Sequence, residues 1–256
     1  MRRAYWCRDI GACCTLCAPR CPPPASNLAG HTASVESHGS DASGASERWH
    51  RYGLIGRNGK GKSTLLRHLA ARRVTGFKPS MSVYYVHQEV TLTEAQEELT
   101  PVQHVLAADV ERRMLLEEQA QLAGSEGMAE QERLATVESR LEAIGSSQAE
   151  RRVVELLTHL GFSEEFRARR MRALSGGWRV RTALAAALFA KPDVLLLDEP
   201  TNHLSIDAVM WLTREISTSA TWDSRIVVVV SHDRRVPGCT EGVDTQMLWM
   251  QSHGSR

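Results

Sequence analysis

Nine consecutive residues, Gly56-Arg57-Asn58-Gly59-Lys60-Gly61-Lys62-Ser63-Thr64, constrain this chain more than any other stretch. From Gly56 through Gly61, Lys62 and Ser63 they fit the pattern G-x-x-x-x-G-K-[ST]. Backbone N–H groups can wrap a phosphate chain only if no side chain blocks the approach, and glycine meets that need while permitting unusual backbone angles. Lys62 can reach terminal phosphates, and the Ser63 hydroxyl can face Mg²⁺. Upstream, Tyr52-Gly53-Leu54-Ile55 has the composition of a short strand. Downstream, Leu65 to Ala70 reads as a helix whose positive end would point at the anion. A chance glycine-rich turn before a helix is the bland alternative, and the motifs further along weigh against it.

Those motifs fall where a mostly parallel sheet would place them. Met81–Val86 reads as a strand ending at His87-Gln88-Glu89, and Val194–Leu197 as an apolar strand ending in Asp198-Glu199. Ile226–Val230 reads as a doubly buried strand ending at Ser231-His232-Asp233. Strands separated by helices imply an α/β fold with ligands beyond the strands' carboxyl ends. Gly56, Gln88, Asp198 and His232 all fall at that edge. Asp198 can hold Mg²⁺ through its water shell, alongside Ser63 and Gln88. Glu199 can position or deprotonate an attacking water. The Gln88 amide can sense Mg²⁺ and the γ-phosphate, and His232 can bond the γ-phosphate. Taken singly, Gln88 and His232 read as ordinary loop residues; in this order they read as one constellation.

Between these strands lies a helical stretch over 92–160. Thr100-Pro101-Val102-Gln103 is a capping box with proline at the first helical position, and Ser147-Gln148-Ala149-Glu150 reads as a second, opening a helix that stops at Gly161. Residues 91–150 hold thirteen Asp/Glu against four Lys/Arg, the mark of a solvated face and no surface for RNA by itself. Residues 48–73 hold eight Lys/Arg and no Asp/Glu, which suits a polyphosphate. Leu174-Ser175-Gly176-Gly177-Trp178 opens another helix, ended by Lys191-Pro192, and makes a second anion site at a helix start. Ser205 can cap a helix from Ile206 to about Thr218.

The order of a phosphate loop, a glutamine loop, Leu-Ser-Gly-Gly, a strand ending in Asp-Glu and a histidine switch resembles the ATP-binding-cassette (ABC) ATPases over roughly residues 50–235. That resemblance implies a cassette with a mostly parallel core sheet and an inserted helical arm and signature subdomain at about 92–190, binding ATP and Mg²⁺. It implies catalytic roles for Glu199 and His232. It also implies that Ser175, Gly176 and Gly177 act on ATP held by a second cassette, from a homodimer or a full-length relative. Trp178 after the signature, Glu199-Pro200-Thr201-Asn202-His203-Leu204 and Ser231-His232-Asp233-Arg234 are similar to the ABC-F branch. Its members are twin-cassette ATPases without membrane domains, many acting on ribosomes. Arg51–Gly59 looks most like the first cassette of a eukaryotic ABC-F protein of the general-control translation-regulator type. The resemblance points to a cytoplasmic ATPase linked to translation. The alternatives are a nucleotide-binding remnant with little turnover or, less in keeping with Trp178 and Asn202-His203, the ATPase subunit of a transporter. A chromosome-maintenance ATPase would need a far longer insertion.

The chain departs from the family at three places. Residues 1–48 are rich in Ser, Gly, Ala and Pro, with five of the six cysteines before residue 22, and read as a disordered tail preceding one nucleotide-binding domain over 49–256. The strands and adenine-stacking aromatic of the family are missing there, since residues 7–48 contain no Phe, Tyr or Trp. Ser205 stands where the family carries Asp. Arg235-Val236-Pro237-Gly238 breaks the expected helix, so a truncated or divergent cassette is expected. No apolar run approaches the ~18 residues of a membrane span. Without an aromatic platform the base loses a stacking contact of roughly 1–3 kcal/mol. ATP should therefore bind weakly and be poorly discriminated from GTP in a competition titration, whereas a strong preference for ATP would mean that Trp49, Tyr52 or another ring stacks on the base.

Overall fold

A computed structural model describes residues 31–36, 51–56, 59–74, 78, 80–124, 127–231 and 245–252, with backbone alone at 31–36 and 245–252. The described residues fall into two compact units, one comprising residues up to 88, 192–202 and those from 209 on, the other 89–191 and 203–208.

The first unit is built on a six-stranded sheet. Its strands are β1 (His31–Glu36), β2 (Arg51–Ile55), β3 (Val83–Val86), β4 (Val194–Asp198), β5 (Ile226–Ser231) and β6 (Thr245–Ser252), in the spatial order β1-β6-β2-β5-β4-β3. All pairings are parallel except the antiparallel β1–β6 pair. β4 is buried at all five residues and β5 at five of six, as near-continuous Leu and Val runs require in a sheet covered on both faces. Helix α1 (Lys62–Ala70) lays Leu66 and Leu69 into a core with Leu54, Val194, Leu196, Val228 and Val230. At the amino ends of β3 and β4, Ser82 N and Oγ both donate to Asp193, and Asp193 N donates to Ser82 Oγ. That clasp fixes the start of the β3–β4 ladder.

The reading of residues 1–48 as a tail differs from the structure at one point. His31–Glu36 pairs with Thr245–Ser252, His31 opposite Ser252 and Glu36 opposite Met247. Backbone N–H and C=O groups carry such pairing, and a composition argument weighs only side chains. The rest of 1–48 lies outside the described residues, as do Trp49 and 235–238.

The second unit is helical, as the periodicity over 92–160 anticipates. It holds α2 (Glu94–Glu97), α3 (Pro101–Ala107), α4 (Val110–Leu122), α5 (Met128–Ala143), α6 (Ala149–His159), α7 (Glu164–Ala168) and α8 (Gly176–Ala190). The Thr100 box forms in full, Thr100 Oγ1 accepting from Gln103 N and the Gln103 side chain accepting from Thr100 N. The Ser147 box does not form. Residues 146–148 are themselves wound into a 3-10 turn behind Gly145 at φ 66°, and α6 starts without a side-chain cap. Boxes or caps the sequence reading passed over occur at Thr93, Asp109 and Ser163. α4 and α5 run antiparallel, laced by Glu118–Arg133 and Glu111–Arg140 ion pairs. These pairs are largely exposed, so each contributes little to stability and the pair together mainly fixes register. Gly161 at φ 90° and Lys191 at φ 48° end α6 and α8 near the expected places.

Leu196 is fully buried in the core facing α1. Leu196→Ala should lower unfolding free energy by about 2–5 kcal/mol in urea titration, and a loss below 1 kcal/mol would show that the β4 core is not packed as described.

Candidate nucleotide site

Parallel pairing gathers the candidate residues at one edge. β2 pairs with β5 so that Ile55 faces Ser231, β5 with β4 so that Val230 faces Asp198, and β4 with β3 so that Leu197 faces Val86. The residues that follow these ends are Gly56, His232, Glu199 and His87-Gln88. Neighbouring strands lie about 4.8 Å apart, which sets Asp198 about 10 Å across the sheet from the start of the glycine loop. His232 lies outside the described residues, as do Arg57 and Asn58.

The loop has the backbone its glycines imply. Gly59 sits at φ 79° with nothing within 4 Å of where a Cβ would be, and Gly61 at φ 88° enters α1 as its cap residue. Both angles are rare for residues with side chains, so substitution would strain the loop even where space allows. Lys62 is buried, and its Nζ donates to the Gly56 carbonyl at 2.6 Å, crossing from the first residue of α1 back to the start of the loop. Lys60, Ser63 and Thr64 are half-buried. Arg67, one turn on, donates to the Ser63 carbonyl and the Thr64 hydroxyl. The helix N-terminus carries no acidic residue in its first turn, and so keeps its attraction for an anion.

Asp198 and Glu199 are both buried. Asp198 Oδ2 accepts a hydrogen bond from the Tyr85 hydroxyl at 2.9 Å, while Oδ1 is buried without a partner among the described residues. An unpaired carboxylate oxygen is costly to bury, and its persistence at a strand tip points to a cation. Among the described residues no cluster of three or more His, Cys, Asp or Glu forms a metal cage. Mg²⁺ needs none, since it keeps several waters and takes one or two protein carboxylates beside phosphate oxygens. The residues present therefore fit Mg²⁺ held together with a nucleotide.

Glu199 has φ 51°, the left-handed region, where a residue other than glycine costs of order 1–3 kcal/mol. Its N–H donates to the Val230 carbonyl and its carbonyl accepts from Asn202 N, so the turn is pinned from both sides. That strain sits where the chain leaves β4 and turns Glu199 away from the strand's path. Gln88 is exposed just past β3.

Two aromatic residues behind the strand tips escaped the sequence reading. The Tyr85 hydroxyl is held well above the ordinary tyrosine pKa, first by burial, then by its bond to Asp198 and that residue's charge. The His87 ring packs on Tyr85 with centroids 3.8 Å apart. Burial lowers its pKa most, Arg67 adds to this, and Asp198 opposes it. A tyrosine inside an apolar strand carries no motif, and only the register of β3 against β4 shows what it reaches.

In the helical unit, the signature is braced from behind. Ser175 and Gly176 are exposed, and Ser175 makes no capping bond to its own helix. Gly176 faces open space, while a Cβ on Gly177 would touch the His203 ring at 3.5 Å. The Arg179 guanidinium donates to the carbonyls of Met171, Arg172 and Leu174, tying the preceding turn to α8. Trp178 takes Phe162 edge-on at 4.7 Å, stacks on Phe166 at 4.4 Å and carries the Arg181 guanidinium 4.4 Å above its ring. Burial lowers the Arg181 pKa, and its donors reach the carbonyls of Leu160 and His203. Ser205 caps α9 (Ile206–Thr218), its Oγ accepting from Ala208 N at 3.4 Å.

Residues 40–202 match the family model described as "ABC transporter". The chain is 43% identical over 194 residues to "ABC transporter F family member 4" of Dictyostelium discoideum, covering 72% of this chain and 16% of that protein. It is 41% identical over 202 residues to "ATP-binding cassette sub-family F member 2" of Mus musculus, covering 79% of this chain and 30% of that protein. The chain thus spans less than a third of either relative. Among solved structures, the dimeric ATP-binding cassette MJ0796, in a post-hydrolysis state bound to ADP and Pi, shares the fold. The TM-score is 0.50 at 19% identity, covering 88% of this chain and 97% of that one. Among the described residues no helix is long and apolar enough to cross a membrane. A phosphate loop, a buried carboxylate pair at the tip of β4 and a braced signature helix, matched over residues 40–202, make this chain a member of the ABC transporter family, in its F branch.

Proposed function

We propose that the chain binds ATP with Mg²⁺ at the Gly56–Thr64 loop and hydrolyses it when paired with a second cassette. The observation that carries this reading is Asp198 Oδ1, buried without a partner among the described residues at the strand edge shared with that loop. Bound Mg²⁺ would neutralise charge building up between the terminal phosphates. Lys62, with Arg57, Asn58, Gly59, Lys60, Gly61 and Thr64, holds the phosphates; Ser63, Asp198 and Gln88 serve the metal. Glu199 handles the attacking water and His232 bonds the γ-phosphate. Glu199's strained, pinned backbone suits a side chain whose direction must not vary. Ser175, Gly176 and Gly177 would act on nucleotide held by the other cassette. The F-branch resemblance supports a cytoplasmic setting, action on the ribosome in translation and one nucleotide-binding domain over 49–256, to which the strand His31–Glu36 is added by its pairing with β6.

Ser205 favours a second reading, a nucleotide-binding cassette of low turnover that regulates by pairing. Where the family carries a carboxylate, Ser205 spends its hydroxyl on capping α9.

ATPase rate per chain, measured across a dilution series, separates these readings. Hydrolysis should rise with protein concentration or on adding a full-length relative, and should stop in Glu199→Gln, where shape and hydrogen-bonding reach persist but the base is gone. Brisk, concentration-independent turnover that survives the substitution would defeat both the catalytic assignment and the two-cassette mechanism; no turnover at any concentration would favour the second reading.

A further inference from the structure

The two oxygens of Asp198 have different surroundings. Oδ2 accepts from the Tyr85 hydroxyl at 2.9 Å, and Oδ1 is buried with no partner among the described residues. The terminal torsion of an aspartate is broad, so nothing in the side chain itself chooses which oxygen faces the ligand edge. A donor on one oxygen makes that choice. Tyr85 is placed for it by the sheet, since β3 and β4 pair with Tyr85 opposite Leu196. The ring therefore starts two residues behind Asp198, and the length of a tyrosine side chain brings its hydroxyl to the strand tip. The ring has little freedom to leave, being half-buried against the core behind α1, with His87 on it at 3.8 Å.

We propose that Tyr85 is a positioning residue, whose hydroxyl ties down Asp198 Oδ2 so that Oδ1 is the oxygen presented to the water shell of nucleotide-bound Mg²⁺. This rests on the reading of Asp198 as the magnesium carboxylate. Tyr85 touches neither metal nor nucleotide in this role. Its contribution is to remove the rotational search that Asp198 would otherwise make on each binding event. The nucleotide without metal does not need that orientation. The hydroxyl should therefore matter to magnesium and leave bare nucleotide alone, a split that general damage to the fold would not produce.

The test is a thermal-shift or fluorescence titration of the full chain with ATP, first in EDTA and then across a range of free Mg²⁺. Tyr85→Phe removes one oxygen and keeps the ring. Loss of a hydrogen bond to a charged group should raise the Mg²⁺ concentration for half-maximal effect about tenfold, with binding in EDTA changed less than about twofold. Asp198→Ala supplies a second background, in which Tyr85→Phe should have no further effect on the magnesium dependence. Tyr85→Leu, which also loses ring packing, should lower ligand-free melting temperature where Tyr85→Phe does not. Equal magnesium dependence in parent and Tyr85→Phe would overturn the proposal. So would an equal loss of binding with and without metal, or a magnesium effect that persists in Asp198→Ala. A parent whose ATP binding does not respond to Mg²⁺ would fail at the earlier step, the assignment of Asp198, and take this inference with it.

Discussion

Parallel pairing across β2, β5, β4 and β3 is the constraint on which the rest depends. Hydrogen bonds between parallel strands hold all four carboxyl ends level, with Ile55 facing Ser231, Val230 facing Asp198 and Val86 facing Leu197. A slip of one residue would send every side chain of the strand to the opposite face and pull Asp198 off the tip. Burial of β4 and β5 on both faces makes that slip costly, because Leu196, Val228 and Val230 would leave the core that α1 covers. The apolar runs that read as strands are thus also what aligns the chemistry, although they contribute no functional atom.

Two devices stiffen the edge further. The glycine loop is crossed by Lys62, whose ammonium reaches back to the Gly56 carbonyl. The turn after β4 is pinned by backbone bonds on both sides of Glu199, which holds a left-handed conformation that sequence preference would not select. Local strain held by surrounding structure is the signature of a position where direction matters more than comfort. The signature helix follows the same logic within its own unit. Arg179 gathers three carbonyls and Trp178 is gripped on three sides, leaving Ser175 and Gly176 exposed on a rigid base. Trp178, which marks the branch in sequence, is a packing residue in the structure.

What was legible in the sequence were features with a local cause. The glycine loop, the apolar strands ending at Ser231 and Asp198, the Thr100 box and the Ser205 cap all follow from neighbours within a few residues. Features arising across the fold were not legible. Tyr85 meets Asp198 over a separation of 113 residues, and no pattern in Val83-Tyr84-Tyr85-Val86 announces it. The Ser147 box does not form because residues 146–148, Ser147 among them, are wound into a 3-10 turn behind Gly145, a backbone choice that overrides a good side-chain match. The β1–β6 pair draws on backbone groups in a stretch whose side chains look unsuited to order. Ser175 and Gly176 were legible as a motif, but the Arg179 and Trp178 scaffold behind them was not.

On the proposed function, this edge is a magnesium–nucleotide site marked by a buried carboxylate oxygen, Asp198 Oδ1, without a partner among the described residues. Calorimetric titration of the full chain with ATP and Mg²⁺ tests it most directly. One nucleotide should bind per chain, with binding lost in Lys62→Ala and magnesium dependence lost in Asp198→Ala. Binding of equal strength in Lys62→Ala, or a parent that takes up no nucleotide, would contradict it.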